Sequence, residues 1–456
     1  MKRLFCFAAI LCFLFSLTGC KTDSASQDSD ETVTDPLQGN ETDTETETET
    51  ENNTETETKT ENESEENTEP EEEMKQIDLM DYINCRAALS HTYKKLTEDK
   101  ELTVVYFGGS VTAGHGSSSP EKYSWRARIG KWIAESFPDA KVTNINRALG
   151  ESGTYLGAYR VQTDVISAEP DLLFLEYSIN DYYYKSTYEQ AASQYETIIR
   201  EVKAALPDTD IVTVLVTDET RMWSYNKVGM LHTQAQAHED IAKAYNIPTL
   251  HVGRYLVAQI DYWSSMWSNY AIDGVHPNDQ GYEVYYELIR EYLRMSLFET
   301  DYTKPLEKFV MVPVISETLF DGDRQGILPT QSLVELSESM GGRGIAFAEE
   351  SSFNNSVISD AVGQLLFDGT DDELVIRFTG TELSAYVVQK NVPWQVSVDG
   401  GEYVLLEGSA HNPVIFAKDL SSGEHVVRVR LYKDANVSMG MLFTRDATKA
   451  TPKGSN

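Results

Sequence analysis

Leu102-Thr103-Val104-Val105-Tyr106-Phe107-Gly108-Gly109-Ser110-Val111-Thr112 decides how the folded part of this chain is built. Six residues with almost no polar interruption are too short for a helix and read as a strand buried on both faces. Two glycines then allow a sharp turn, and the turn leaves a serine hydroxyl at the strand's carboxyl end. Further apolar strands follow at Lys141–Ile145, Asp171–Tyr177, Asp210–Val216 and Thr249–Val252. Between them lie segments with apolar residues at helical spacing, Trp125–Phe137, Tyr188–Leu206, Leu231–Tyr245 and Gln280–Met295. This alternation predicts an α/β domain over residues 76–300, a parallel sheet covered by helices on both sides. Ligands of such sheets sit at the carboxyl ends of the strands, where Ser110 falls.

Beyond residue 305 the pattern changes. Glu373–Phe378, Leu383–Val388, Trp394–Val398 and His425–Tyr432 are short strands separated by Gly and Asp turns. They predict a β-sandwich domain over residues 305–456.

Upstream, Met1-Lys2-Arg3 and the apolar run Leu4–Leu17 read as a secretory signal, since the run is too short to span a bilayer. It ends in Leu17-Thr18-Gly19-Cys20, which resembles the lipobox of bacterial lipoproteins. That resemblance implies lipidation at Cys20 and a membrane partner reached through an N-terminal lipid. The expected location is the extracellular face of a bacterial membrane. With Cys6 and Cys12 in the signal and Cys20 acylated, only Cys85 remains, so no internal disulfide is expected. Asp81–Leu89 looks helical, with Cys85 a small buried residue. The chain of 456 residues carries a net charge of −35, and about half of it falls in residues 21–75, where Glu and Thr alternate. With almost nothing apolar to bury, that stretch predicts an extended acidic tether. No basic patch suggests nucleic acid.

The chemistry lies in four short blocks. A serine hydroxyl needs a base to take its proton, and a histidine serves best when a carboxylate fixes its tautomer. Asp273-Gly274-Val275-His276-Pro277 supplies both just before the last helix. Ser178-Ile179-Asn180-Asp181 comes straight after a strand. Asn146–Thr154 contributes two glycines, Gly150 and Gly153, around Glu151. In order and spacing the four blocks resemble the SGNH (GDSL-like) hydrolases. The resemblance implies a three-layer α/β/α fold and ester hydrolysis through an acyl-enzyme, without metal or cofactor. Ser110 is then the nucleophile, His276 the base and Asp273 its orienting acid. The oxyanion hole is formed by the Ser110 N–H, Asn180, and Gly150 or Gly153. Ser178 stands where the family has a glycine, and Glu151 where its second block has another.

His232 and His238 lie six apart on one helix and do not share a face as a metal pair would. His115, Tyr182–Tyr184, Trp223, Trp263 and Trp267 are candidates for the cleft rim, the three tryptophans in loop-like stretches. An aromatic rim, a tether and an appended β-domain point to an acetylated polysaccharide or oligosaccharide as substrate. The alternative readings are a lipase- or lysophospholipase-like esterase and an inactive glycan-binding lipoprotein.

Overall fold

Alternate side chains of β2 (Glu101–Gly108) enter two different cores, which is why the strand is apolar throughout. In the computed structural model, which describes residues 77–327, 334–336, 346–347, 363–367, 369–387, 389–409 and 413–456, Val104 and Tyr106 face one side. Val105 and Phe107 face the other. β4 (Leu172–Glu176) divides the same way, Leu172 and Phe174 against Leu173 and Leu175. β3 (Lys141–Asn146), β5 (Asp210–Val214) and β6 (Thr249–Leu250) complete a parallel sheet in the order β3-β2-β4-β5-β6. Helices Trp125–Ser136, Val252–Tyr262 and Asp279–Arg294 pack on the first side. Helices Thr154–Arg160, Tyr188–Ala205 and Thr233–Ala244 pack on the second. The three-layer α/β/α architecture expected from the alternation is therefore present.

One expectation fails at the edge. Asp81–Leu89 is not helical: a short 3-10 turn, Leu79–Tyr82, capped by Asp78, gives way to β1 (Ile83–Asn84), which pairs antiparallel with β6. Cys85 is exposed rather than buried. Tertiary pairing on the open edge of β6 overrides the local helical pattern here.

The C-terminal strands form two antiparallel sheets. One contains β15 (Val414–Ala417), β12 (Glu382–Val387), β17 (Val437–Asp446), β10 (Gly363–Phe367) and β9 (Ala346–Phe347), with β7 (Asp323–Ile327) also on β17. The other runs β14 (Val404–Leu406), β13 (Trp394–Val398), β16 (Glu424–Leu431), β11 (Glu373–Thr379) and β8 (Val334–Leu336). Trp394, Ile376 and Val429 from one sheet share a core with Leu383, Phe416 and Leu442 from the other, which makes the pair a sandwich. Helix Thr154–Arg160 meets it: Tyr155 reaches Glu382 and Ser384, and the Tyr159 ring lies 5.1 Å from that of Phe443. The expected signal, Cys20 and the acidic tether lie outside the described residues.

Candidate active site

Parallel pairing brings three loops to one end of the sheet. Gly108 at the end of β2 stands opposite Glu176 at the end of β4, and Tyr106 opposite Asn146 at the end of β3. The segments that follow carry Ser110, Asn180 and Gly150 respectively. The two glycines before Ser110 are required by close approach. A side chain at Gly108 would strike the Glu176 carbonyl and Thr112, and one at Gly109 would strike the Asn180 amide.

The fourth loop reaches the same place from between two helices. Asp273 Oδ1 accepts hydrogen bonds from the backbone N–H groups of Val275 and His276, both at 2.8 Å. Its Oδ2 lies 2.8 Å from His276 Nδ1. Asn278 then caps the last helix, accepting from the N–H groups of Gln280 and Gly281. His276 Nε2 is 2.9 Å from Ser110 Oγ. A carboxylate can only accept, so the Nδ1 proton points at Asp273 and Nε2 is left to accept from the serine hydroxyl. Burial works to raise the Asp273 pKa, but hydrogen bonds from the His276 ring and from the two N–H groups outweigh it and hold it below the ordinary carboxylate range.

Asn180 Nδ2 donates to the Ser152 carbonyl at 2.8 Å. That bond anchors the amide beside Gly109 and uses one of its two N–H donors. Of the two candidate glycines, Gly150 borders Ser110: a Cβ there would stand 3.8 Å from Ser110 Cβ. Gly153 faces elsewhere, with Asp181 and Tyr184 filling the space a side chain would need. Glu151 adopts a left-handed backbone, φ 59°, and its carboxylate pairs with Lys390 of the β-domain. That ion pair neutralises its charge locally.

His115 lies at the cleft, its ring 4.4 Å from that of His276, edge to face. Burial and the neighbouring His276 charge push its pKa down. Tyr183 donates to Asp218 at 3.1 Å, Tyr182 packs against His232, and Tyr184 donates to the Glu151 carbonyl. Trp223 is in a helix, Arg221–Lys227, and not in a loop. Trp263 ends helix Val252–Tyr262 and is 63 % exposed. Trp267 is buried, and its indole N–H donates to the Asp273 carbonyl at 2.6 Å. The cavity between His91, Lys95 and Asp208, about 500 Å³, opens at the amino ends of the strands, the wrong end for a ligand of this sheet.

Two buried acids were not singled out in the sequence. Asp181 accepts from the N–H and hydroxyl of Thr154 and sits 2.9 Å from His238 Nε2, so it ties the Gly150 loop to the Asn180 loop. Glu176 is wholly buried beneath the Gly-Gly-Ser turn, where Oε2 accepts from Thr112 at 2.9 Å and from the Gly109 N–H. Burial pushes its pKa up to about 7. Between the ordinary value near 4.5 and about 7, the folded protein holds a proton that the unfolded chain releases. Stability therefore declines as pH rises through that window and levels off above it, by on the order of 3 kcal/mol. Glu176→Gln keeps the acceptor and removes the charge. Its melting temperature is expected to exceed the wild type's by a few degrees at pH 8 and to converge with it near pH 5, by calorimetry. Identical pH slopes for the two proteins would refute this account of Glu176.

Comparison with known proteins agrees with the geometry. Residues 106–284 match the GDSL-like Lipase/Acylhydrolase family. The crystal structure of a two-domain esterase active on acetylated mannans is similar with a TM-score of 0.65 at 20% identity, over 83% of this chain and 100% of that one. A two-domain esterase active on acetylated mannans and co-crystallized with mannopentaose gives 0.62 at 20% identity, over 84% and 100%. No curated protein sequence matches the chain closely enough to count as a relative. Residues 106–284, less than half of the chain, are thus similar to a family of lipases and acylhydrolases, which are ester-bond hydrolases.

Proposed function

We propose that this protein is a serine esterase that removes O-acetyl groups from a polysaccharide through an acyl-enzyme. The observation that carries the hydrolytic chemistry is the Ser110–His276–Asp273 relay, hydrogen-bonded from end to end. Ser110 Oγ attacks the acetyl carbonyl while His276 Nε2 takes its proton. The imidazolium that forms is stabilised by Asp273. The Ser110 N–H and the second Asn180 N–H receive the developing oxyanion, with Gly150 bordering the same space. His276 returns the proton to the leaving sugar hydroxyl, then activates water to release acetate.

The glycan substrate is supported by the likeness to an esterase active on acetylated mannans, which extends through both domains. Attachment at Cys20 to the outer face of a bacterial membrane belongs to the same proposal and rests on the N-terminal sequence. Cys20→Ser should move the protein from the membrane fraction to the medium. Retention on the membrane would reject the lipid anchor. For the substrate, acetate release is measured from acetylated mannan, acetylated xylan and acetylated peptidoglycan, beside fatty-acid release from lysophospholipid. Acetate from at least one glycan is expected, with no fatty acid. Fatty acid alone would establish the lipase-like reading instead.

A further inference from the structure

Both backbone carbonyls at the head of the Asp273–His276 loop are held by one neighbouring cleft. The Glu219 N–H donates to the Gly274 carbonyl at 2.9 Å, and the Trp267 indole donates to that of Asp273. Glu219 and Trp223 form one wall of a cavity of about 420 Å³, and Asp261, Ser265, Met266 and Trp267 form the other. The Trp223 and Trp267 rings stand 6.1 Å apart and nearly perpendicular, at 81°. Trp267 is buried as the support, whereas Trp223 is only partly covered. Met266 is 64 % exposed beside them. Asp261 is engaged by Lys227 at 3.0 Å. The exposed Glu219 side chain lies over Gly274, with Oε2 3.8 Å from where a Cβ would be.

We infer that this cleft is a subsite for a pyranose ring of the polysaccharide, adjacent to the acetylated sugar at Ser110. The inference rests on the glycan reading above and extends it. A pyranose has one face of C–H groups and a rim of hydroxyls. A partly open indole matches the face, and a carboxylate and serine hydroxyls match the rim. An acyl chain would cover the Glu219 carboxylate without offering it a hydrogen-bond donor, which argues for the sugar over a lipid tail. Because the walls hang on the Asp273–Gly274 backbone, a sugar seated here is in fixed register with the relay.

The test compares acetylated mannan oligosaccharides with 4-nitrophenyl acetate, for the full-length wild type, Trp223→Ala and Glu219→Ala. In Trp223→Ala, KM for the oligosaccharides is expected to rise about tenfold, with kcat changed far less. The ratio of the two kcat/KM values is expected to shift against the oligosaccharide by about the same factor. Glu219→Ala, an exposed position that folding tolerates, is expected to move KM in the same direction by a few-fold. Equal losses on both substrates would mean that the substitutions disturb the Asp273 loop, and the subsite would be rejected. An unchanged oligosaccharide KM in both variants would reject it as well. A wild type that hydrolyses 4-nitrophenyl acetate but releases acetate from no glycan would overturn the glycan reading itself, and the subsite with it.

Discussion

Ser110→Ala is expected to hydrolyse 4-nitrophenyl acetate about 10⁴- to 10⁶-fold more slowly than the wild type in kcat. The hydroxyl is the only atom removed, and its one side-chain partner is His276 Nε2. The base, its aspartate and the oxyanion donors stay in place, so a residual rate above that of water is expected from them. Ser110 is not deeply buried, and losing one hydroxyl here changes folding stability by well under 1 kcal/mol. A purified variant with the wild-type melting temperature and no turnover is therefore the expected pair of results. Retention of more than a tenth of the wild-type rate would remove Ser110 from the reaction.

Asp273→Asn is expected to cost about 10³- to 10⁴-fold in kcat at neutral pH, through the tautomer of His276. Oδ1 of Asp273 is already committed to the N–H groups of Val275 and His276. An asparagine at this position keeps its oxygen on those two donors, which turns its NH₂ toward His276 Nδ1. Two donors then face each other unless the imidazole carries its proton on Nε2, and that tautomer cannot accept the proton of Ser110. The side chain of Asp273 is 48 % exposed, so water softens the penalty. The loss should accordingly fall nearer the lower figure. Activity at neutral pH within tenfold of the wild type would show that the backbone N–H groups do not fix the amide orientation.

Much of the fold was legible because the strands announce themselves. β2, β4 and β5 are buried on both faces, and that demand writes an uninterrupted apolar run into the sequence. The long helices were equally plain from their spacing. What was missed is held by tertiary contact. β1 is two residues long and exists because β6 offers an edge. The helix Val252–Tyr262 was hidden behind the apolar strand before it, and Trp223 sits in a seven-residue helix that local pattern does not distinguish from a loop.

At the site, Ser110, Asp273, His276 and Asn180 were visible because their residue types and order carry chemistry. The structure brings them to one end of the sheet. Gly150 and Gly153 were indistinguishable in sequence, and only the direction each open Cα faces separates them. Glu176 looked like a strand residue. Its role appears only when β2 pairs with β4 and sets its carboxyl beneath the turn. An acid closing an otherwise apolar strand, one position after Leu175, was the available signal. Lys390, which neutralises Glu151, lies in another domain, and no local reading could have joined the two.

The central claim, that Ser110 is the nucleophile, is tested most directly by trapping the intermediate. The protein is mixed with 4-nitrophenyl acetate, quenched with acid during turnover, digested and analysed by mass spectrometry. The account predicts one acetyl group on the peptide containing Ser110, and none at that position in Ser110→Ala. An acetyl group carried during turnover by another residue, with Ser110 unmodified, would contradict it.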